Sequence, residues 1–194
     1  MTFPWEQYPT IWPSKAKYMS FLRSGIRSGL WNKHPLKQAW LDSAEHKVVN
    51  TNPRSMKRFP KVSKWKCVMC GGFFAKADVQ VDHKVGGHSL TDLSELYAFI
   101  MALVVNITLD DLQVLCKNCH SVKTLAERSG TSIDEAAVKK AMLKLQEAHS
   151  PVKKLVAFLV SQGYNANILK NKAQRLKALE DYVLKQRAEQ SKGT

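Results

Sequence analysis

Apolar positions along this chain fall into two periods, and the switches between them mark out the elements. From Ser14, which suits an N-cap, Tyr18, Phe21, Leu22 and Ile26 recur at helical spacing. A second helix is expected from Pro35, a good first-turn residue, burying Leu36, Trp40, Leu41 and Val48 and ending at Asn50-Thr51-Asn52-Pro53. Val79-Gln80-Val81-Asp82-His83 instead alternates with period two, which predicts a strand with Val79, Val81 and His83 on one face. Val85-Gly86-Gly87-His88 reads as the turn after it. Ser89-Leu90-Thr91-Asp92 resembles a capping box, and Leu93, Leu96, Tyr97, Ile100 and Met101 follow at helical spacing, predicting a buried helix. Leu112 to Leu115 is a short second strand, and a helix through Lys123 to about Ser129 ends at Gly130.

The remainder reads as helical. Ser132-Ile133-Asp134-Glu135 is a further capping box. Ser150-Pro151 opens a helix that Gly163 closes, with Leu155, Val156, Leu159 and Val160 buried. The last helix is expected from about Asn167 to Glu189, with Leu169, Leu176, Leu179 and Val183 on one side. Residues 1–13, with Trp5, Tyr8, Trp12 and three prolines, form an irregular segment packed on the body. The fold class is therefore α+β and mostly helical: a small two-stranded core over residues 61–130, between basic helical regions at 1–60 and 131–194. No apolar run approaches the ~20 residues a bilayer span needs. The first residues lack the basic and apolar segments of a signal peptide. A cytoplasmic protein without a membrane partner is the expectation.

Charge sharpens this picture. The formal net charge is +14, and its distribution matters more than its size. Residues 1–64 carry 12 Lys/Arg against 3 Asp/Glu, residues 65–127 carry 5 against 7, and residues 128–194 carry 13 against 6. Basic flanks around a slightly acidic centre suit a protein that holds a polyanion in its arms and a cation in its middle. The candidate phosphate-gripping residues are Arg23 and Arg27, one turn apart; Arg54, Lys57, Arg58 and Lys61, in a basic stretch around Phe59; and Lys170, Lys172, Arg175 and Lys177. Excess lysine that merely keeps the protein soluble is the bland alternative.

All four cysteines lie in two C-x-x-C pairs, Cys67/Cys70 and Cys116/Cys119, separated by 45 residues. A chelating pair at each end suits a structural tetrahedral Zn2+, with no open position for water. None remains for a disulfide elsewhere, which fits a reducing compartment. Cys116-Lys117-Asn118-Cys119-His120 also spells the C-x-x-C-H of covalent haem, but that reading leaves Cys67, Cys70 and the Asp82-His83 pair unexplained. A zinc staple would bring together Asp82, His83 and His120 in one place.

The order C-x-x-C, V-x-V-D-H, L-Q-V-L-C-K-x-C-H-x-x-K-T resembles the HNH (ββα-metal) endonucleases, especially the free-standing kind of bacteriophages. The resemblance covers roughly residues 60–128. It implies that His83 is the general base, and that Asp82 and His120 hold one catalytic divalent ion, Mg2+ or another. It also implies that Asp111 ties down the loop carrying the base. Asp111 stands where the family usually has Asn, and an Asp can accept but cannot donate as an amide does. The proline that usually follows the Asp-His pair is missing. His88, nearby, reads as a loop residue. The implied activity is nicking or cleavage of double-stranded DNA by a monomer or homodimer, as in a phage homing-type endonuclease. The alternative is a non-catalytic, zinc-containing nucleic-acid-binding regulator, which would have no reason to keep Asp82, His83 and His120 together.

Overall fold

The structure is a computed structural model that describes residues 2–86 and 89–192. The chain divides into two compact units, Met1–His120 and Ser121–Thr194. The fold is α+β.

In the first unit a short helix α1 (Pro4–Gln7) precedes α2 (Lys15–Gly29), whose N-cap Ser14 accepts from the Lys17 amide. This helix buries Met19 and packs Tyr18, Leu22 and Ile26 on the main core. A 3₁₀ turn at Trp31–Lys33 leads into α3 (Pro35–Ser43). His34 fixes the start of α3 with both ring nitrogens: Nδ1 accepts from the Leu36 amide at 3.2 Å, so Nε2 carries the proton donated to the Val104 carbonyl at 3.1 Å.

The second predicted helix is shorter than its apolar spacing suggested. It stops at Ser43, and Val48 lies on a strand, β1 (Glu45–Val49). This strand pairs antiparallel with β2 (Lys61–Lys66), and β2 with β3 (Phe73–Phe74), giving a three-stranded sheet that sequence periodicity did not reveal. The cause is long-range pairing, which can override weak local preference. Buried Asn50 organises the connecting loop: Nδ2 donates to Ser55 Oγ and the Phe59 carbonyl, and Oδ1 accepts from the Asn52 amide. The basic stretch from Arg54 is thus a hairpin loop closed at its neck, and Lys61 begins β2. Trp65 locks the sheet to α3 by donating Nε1–H to the Leu41 carbonyl.

A separate antiparallel pair, β4 (Val79–His83) and β5 (Leu112–Cys116), has the register Val79↔Cys116, Val81↔Val114 and His83↔Leu112. Between them lies the inserted helix, capped one turn later than expected. Asp92 accepts from the Ser94 amide while Glu95 returns to the Asp92 amide, so the box starts at Asp92 rather than Ser89. After α4 (Leu96–Ile100) the chain widens into a π-helical turn at Met101–Val105. Phe99, Leu103 and Ile107 are buried, whereas Tyr97 is 75% exposed instead of packed inside. The core of this unit joins Met19 and Trp31 to Val81, Leu90, Phe99, Leu103 and Leu112, so it draws on both sides of the boundary expected at residue 60.

Helix α5 (Lys117–Ser129) starts in the first unit and ends in the second, with Gly130 at φ +63°. The second unit adds α6 (Ile133–Ala148), α7 (Val152–Ser161) and α8 (Lys172–Lys192). Ser132 and Glu135 form the predicted capping box. Its core gathers Leu155, Leu159, Leu169, Ala178 and Leu179. Val160, expected inside, is 43% exposed. The last helix begins at Lys172, not Asn167, because Asn171 caps it: Asn171 Oδ1 accepts from the Gln174 amide and Gln174 Oε1 from the Asn171 amide. Lys170 therefore precedes the helix.

Candidate metal centre and active site

The four-cysteine cluster depends on two turns and one strand pairing. The chain leaves β2 at Cys67, whose carbonyl accepts from the Gly71 amide while its own amide donates to Gly72 O. Gly71 sits at φ +70°, which favours glycine. A Cβ on Gly72 would meet the Phe74 ring at 2.9 Å, so a side chain there would require that ring to shift. The Val68 amide donates to the Val114 carbonyl, drawing this turn against β5. Cys116 ends β5 and Cys119 lies in the first turn of α5, where its amide donates to Cys116 Sγ at 3.4 Å.

The result is a cluster in which the four sulfurs all lie within 4.8 Å of one another, with Cys67, Cys116 and Cys119 buried. No disulfide joins them. Burial opposes ionisation of Cys67, but the amides of Cys116, Cys70 and Met69 draw it down to about 7. Burial is the main force raising Cys70 and Cys119; for Cys119 the neighbouring thiols add to it. One thiolate forms readily in such a cluster, and a cation is what stabilises several together. This donor set and spacing can hold a metal such as zinc.

The same elements set out the other predicted residues. The alternation of β4 buries Val81 and His83 and turns Asp82 the other way. His120 follows Cys119 in the first turn of α5, and its Nε2 lies 3.8 Å from Asp82 Oδ1. Asp82 and His120 thus come together from β4 and the first turn of α5, which the β4–β5 pairing makes neighbours. A carboxylate oxygen and an imidazole nitrogen at this separation form a donor pair that suits a divalent ion.

His83 is fixed from three directions. Its carbonyl accepts from Gln113 Nε2 at 3.2 Å, its ring is largely buried with Nε2 inside, and the Trp31 indole lies against it at 4.3 Å between centroids. Asp111 acts on the adjoining loops. Its Oδ2 accepts from both the amide and the hydroxyl of Thr108 at 2.8 Å, and its carbonyl accepts from the Lys84 amide at 2.7 Å. The Thr108 amide, then its hydroxyl, holds the Asp111 carboxyl below the ordinary range against a smaller opposing effect of burial; Lys84 and His83 act in the same direction as Thr108. An acceptor is all this position uses, so Asp serves where an amide would.

Trp31 and Lys37 belong to this neighbourhood and were not singled out by the sequence. Lys37 Nζ stands 4.6 Å from the Trp31 ring centroid and is half-buried. Burial lowers its pKa, and the Asp82 charge works in the opposite direction. The one sequence signal was a tryptophan and a lysine six residues apart in a basic region, which has no specificity.

The expected phosphate-gripping residues fall into two groups. Arg54, Lys57, Arg58 and Lys61 are exposed on the hairpin loop and its edge, as are Lys170, Lys172 and Lys177 in the second unit. Arg23 donates to the Leu90 carbonyl at 3.1 Å, Arg27 stands over the Phe99 ring, and Arg175 donates to the carbonyls of Leu169 and Lys170. Those three arginines have structural work whatever else they touch. Gly87 and His88 lie outside the described residues. Among the described residues no helix is long and apolar enough to cross a membrane. Compared with protein-family models, curated proteins and solved structures, the chain gives no match.

Proposed function

We propose that this protein is a metal-dependent endonuclease of the HNH type that hydrolyses phosphodiester bonds of double-stranded DNA. The observation that carries the reading is the approach of Asp82 to His120 at 3.8 Å, with His83 the next residue along the same strand. A four-cysteine cluster at the other end of that strand pair supports it by fixing both elements. A divalent ion such as Mg2+, held by Asp82 and His120, would supply charge neutralisation at a phosphate oxygen and at the leaving oxygen. His83 takes the proton from the attacking water. The Gln113 contact and the Trp31 ring hold the imidazole in place, and Asp111 keeps the loop after it from shifting. The exposed lysines and arginines of the hairpin loop supply affinity for the backbone without reading sequence.

The test is relaxation of supercoiled plasmid at low salt by the wild type, with Mg2+ or Mn2+, with chelator, and by His83→Ala. Open circles that require both the metal and His83 are expected. DNA binding without nicking under any metal would instead favour the zinc-containing regulator.

A further inference from the structure

The basic N-terminal region was expected to grip DNA, and it also places one ammonium on the indole that packs against His83. We propose that Lys37 is a further catalytic residue, whose ammonium contacts a non-bridging oxygen of the scissile phosphate, with Trp31 as the residue that positions it. This rests on the nuclease reading above. Three observations converge on it.

The first is placement. Lys37 Nζ stands over the Trp31 ring at 4.6 Å, and the same ring lies 4.3 Å from the His83 imidazole, so the ammonium and the base share one indole as neighbour. The second is rigidity. Trp31 is buried, and Lys37 sits in the first turn of α3, whose start is pinned by both nitrogens of His34. The flexible stem of a surface lysine normally weakens such a role, and here the indole and Asn32, at 3.4 Å from Nζ, restrict it. The third is charge. Asp82 is close enough to act on the Lys37 ammonium, yet that carboxylate faces His120 across 3.8 Å. A cation held by Asp82 and His120 would neutralise that carboxylate and leave the ammonium to an anion. In hydrolysis, water attacks phosphorus as its proton passes to His83, and the P–O bond to the leaving alkoxide breaks. Negative charge builds on the non-bridging oxygens, and a half-desolvated ammonium beside them is worth more than one in water.

The experiment compares wild type, Lys37→Met, Lys37→Arg and Trp31→Phe in single-turnover nicking at saturating protein, with duplex affinity, zinc content and thermal melting measured alongside. Lys37→Met keeps the stem packed on Trp31 and removes only the charge. It should nick about 10²-fold more slowly, with affinity for bulk duplex within about threefold of wild type and melting unchanged. Lys37→Arg should recover part of the rate, and Trp31→Phe should fall between wild type and Lys37→Met. Wild-type nicking by Lys37→Met, or a rate loss matched by equal loss of affinity, would overturn the assignment while leaving the nuclease reading intact. If the wild type itself does not nick with any divalent metal, the nuclease reading fails and the role of Lys37 falls with it.

Discussion

The Asp82 carboxylate and the His120 imidazole face each other at 3.8 Å, Oδ1 to Nε2, from the middle of β4 and the first turn of α5. This is too long for a direct hydrogen bond, and both side chains are partly exposed. Two ligands of one cation would sit at such a distance. His120→Ala should therefore lower the Mg2+-dependent nicking rate by about 10²-fold or more and raise the metal concentration needed for half-maximal rate. A metal titration of nicking by the two proteins checks this; an unchanged titration curve would remove His120 from the site.

The cysteine cluster should bind one zinc per chain, read by elemental analysis of protein purified without added metal. Cys67→Ser and Cys119→Ser should lose that metal and melt at lower temperature, because the sulfurs join β2, β5 and α5. Protons compete with zinc for the thiolates, so retention against a fixed chelator should weaken as pH falls. Zinc that survives both substitutions would have to lie elsewhere.

Asp111 offers a test by acid. Its folded-state pKa is depressed, chiefly by the Thr108 amide, so its contribution is present above the unfolded value of about 3.9 and lost as pH falls through the folded one. Asp111→Ala should melt below wild type at pH 7, and the gap should close toward pH 3. Asp111→Asn keeps an acceptor oxygen and should retain most of the stability. A gap between Asp111→Ala and wild type that is constant from pH 7 to pH 3 would mean that the ionised cap is not its source.

Salt dependence separates the two groups of basic residues. Neutralising Arg54, Lys57, Arg58 and Lys61 together should flatten the slope of log affinity against log salt by up to about 0.9 for each phosphate left without its cation. Arg23→Ala should instead lower stability by about 1.5–3 kcal/mol, the range for a charge-assisted bond to a carbonyl, since it frees the carbonyl of fully buried Leu90. Melting curves alongside salt titrations of duplex binding distinguish these outcomes.

The sequence alone determined what depends on near neighbours. Ser14 and Ser132 cap helices because their acceptors need only the next turn. Alternation over Val79–His83 settled which side chains turn inward, since that follows from the strand backbone itself. The paired cysteines announced a four-sulfur cluster because each C-x-x-C is a local chelate.

Only the tertiary structure decided the rest. Glu45–Val49 became a strand because β2 offers partners across a long loop, from Val49↔Lys61 to Glu45↔Trp65, which no local pattern encodes. The insertion packs Phe99 and Leu103 on the core and leaves Tyr97 outside, a choice of face that its run of apolar residues does not encode. Lys37 looked like any lysine of a basic flank until α3 packed on the β4–β5 pair. A charge acquires its role from what long-range packing sets beside it, here an indole against His83 and the carboxylate of Asp82.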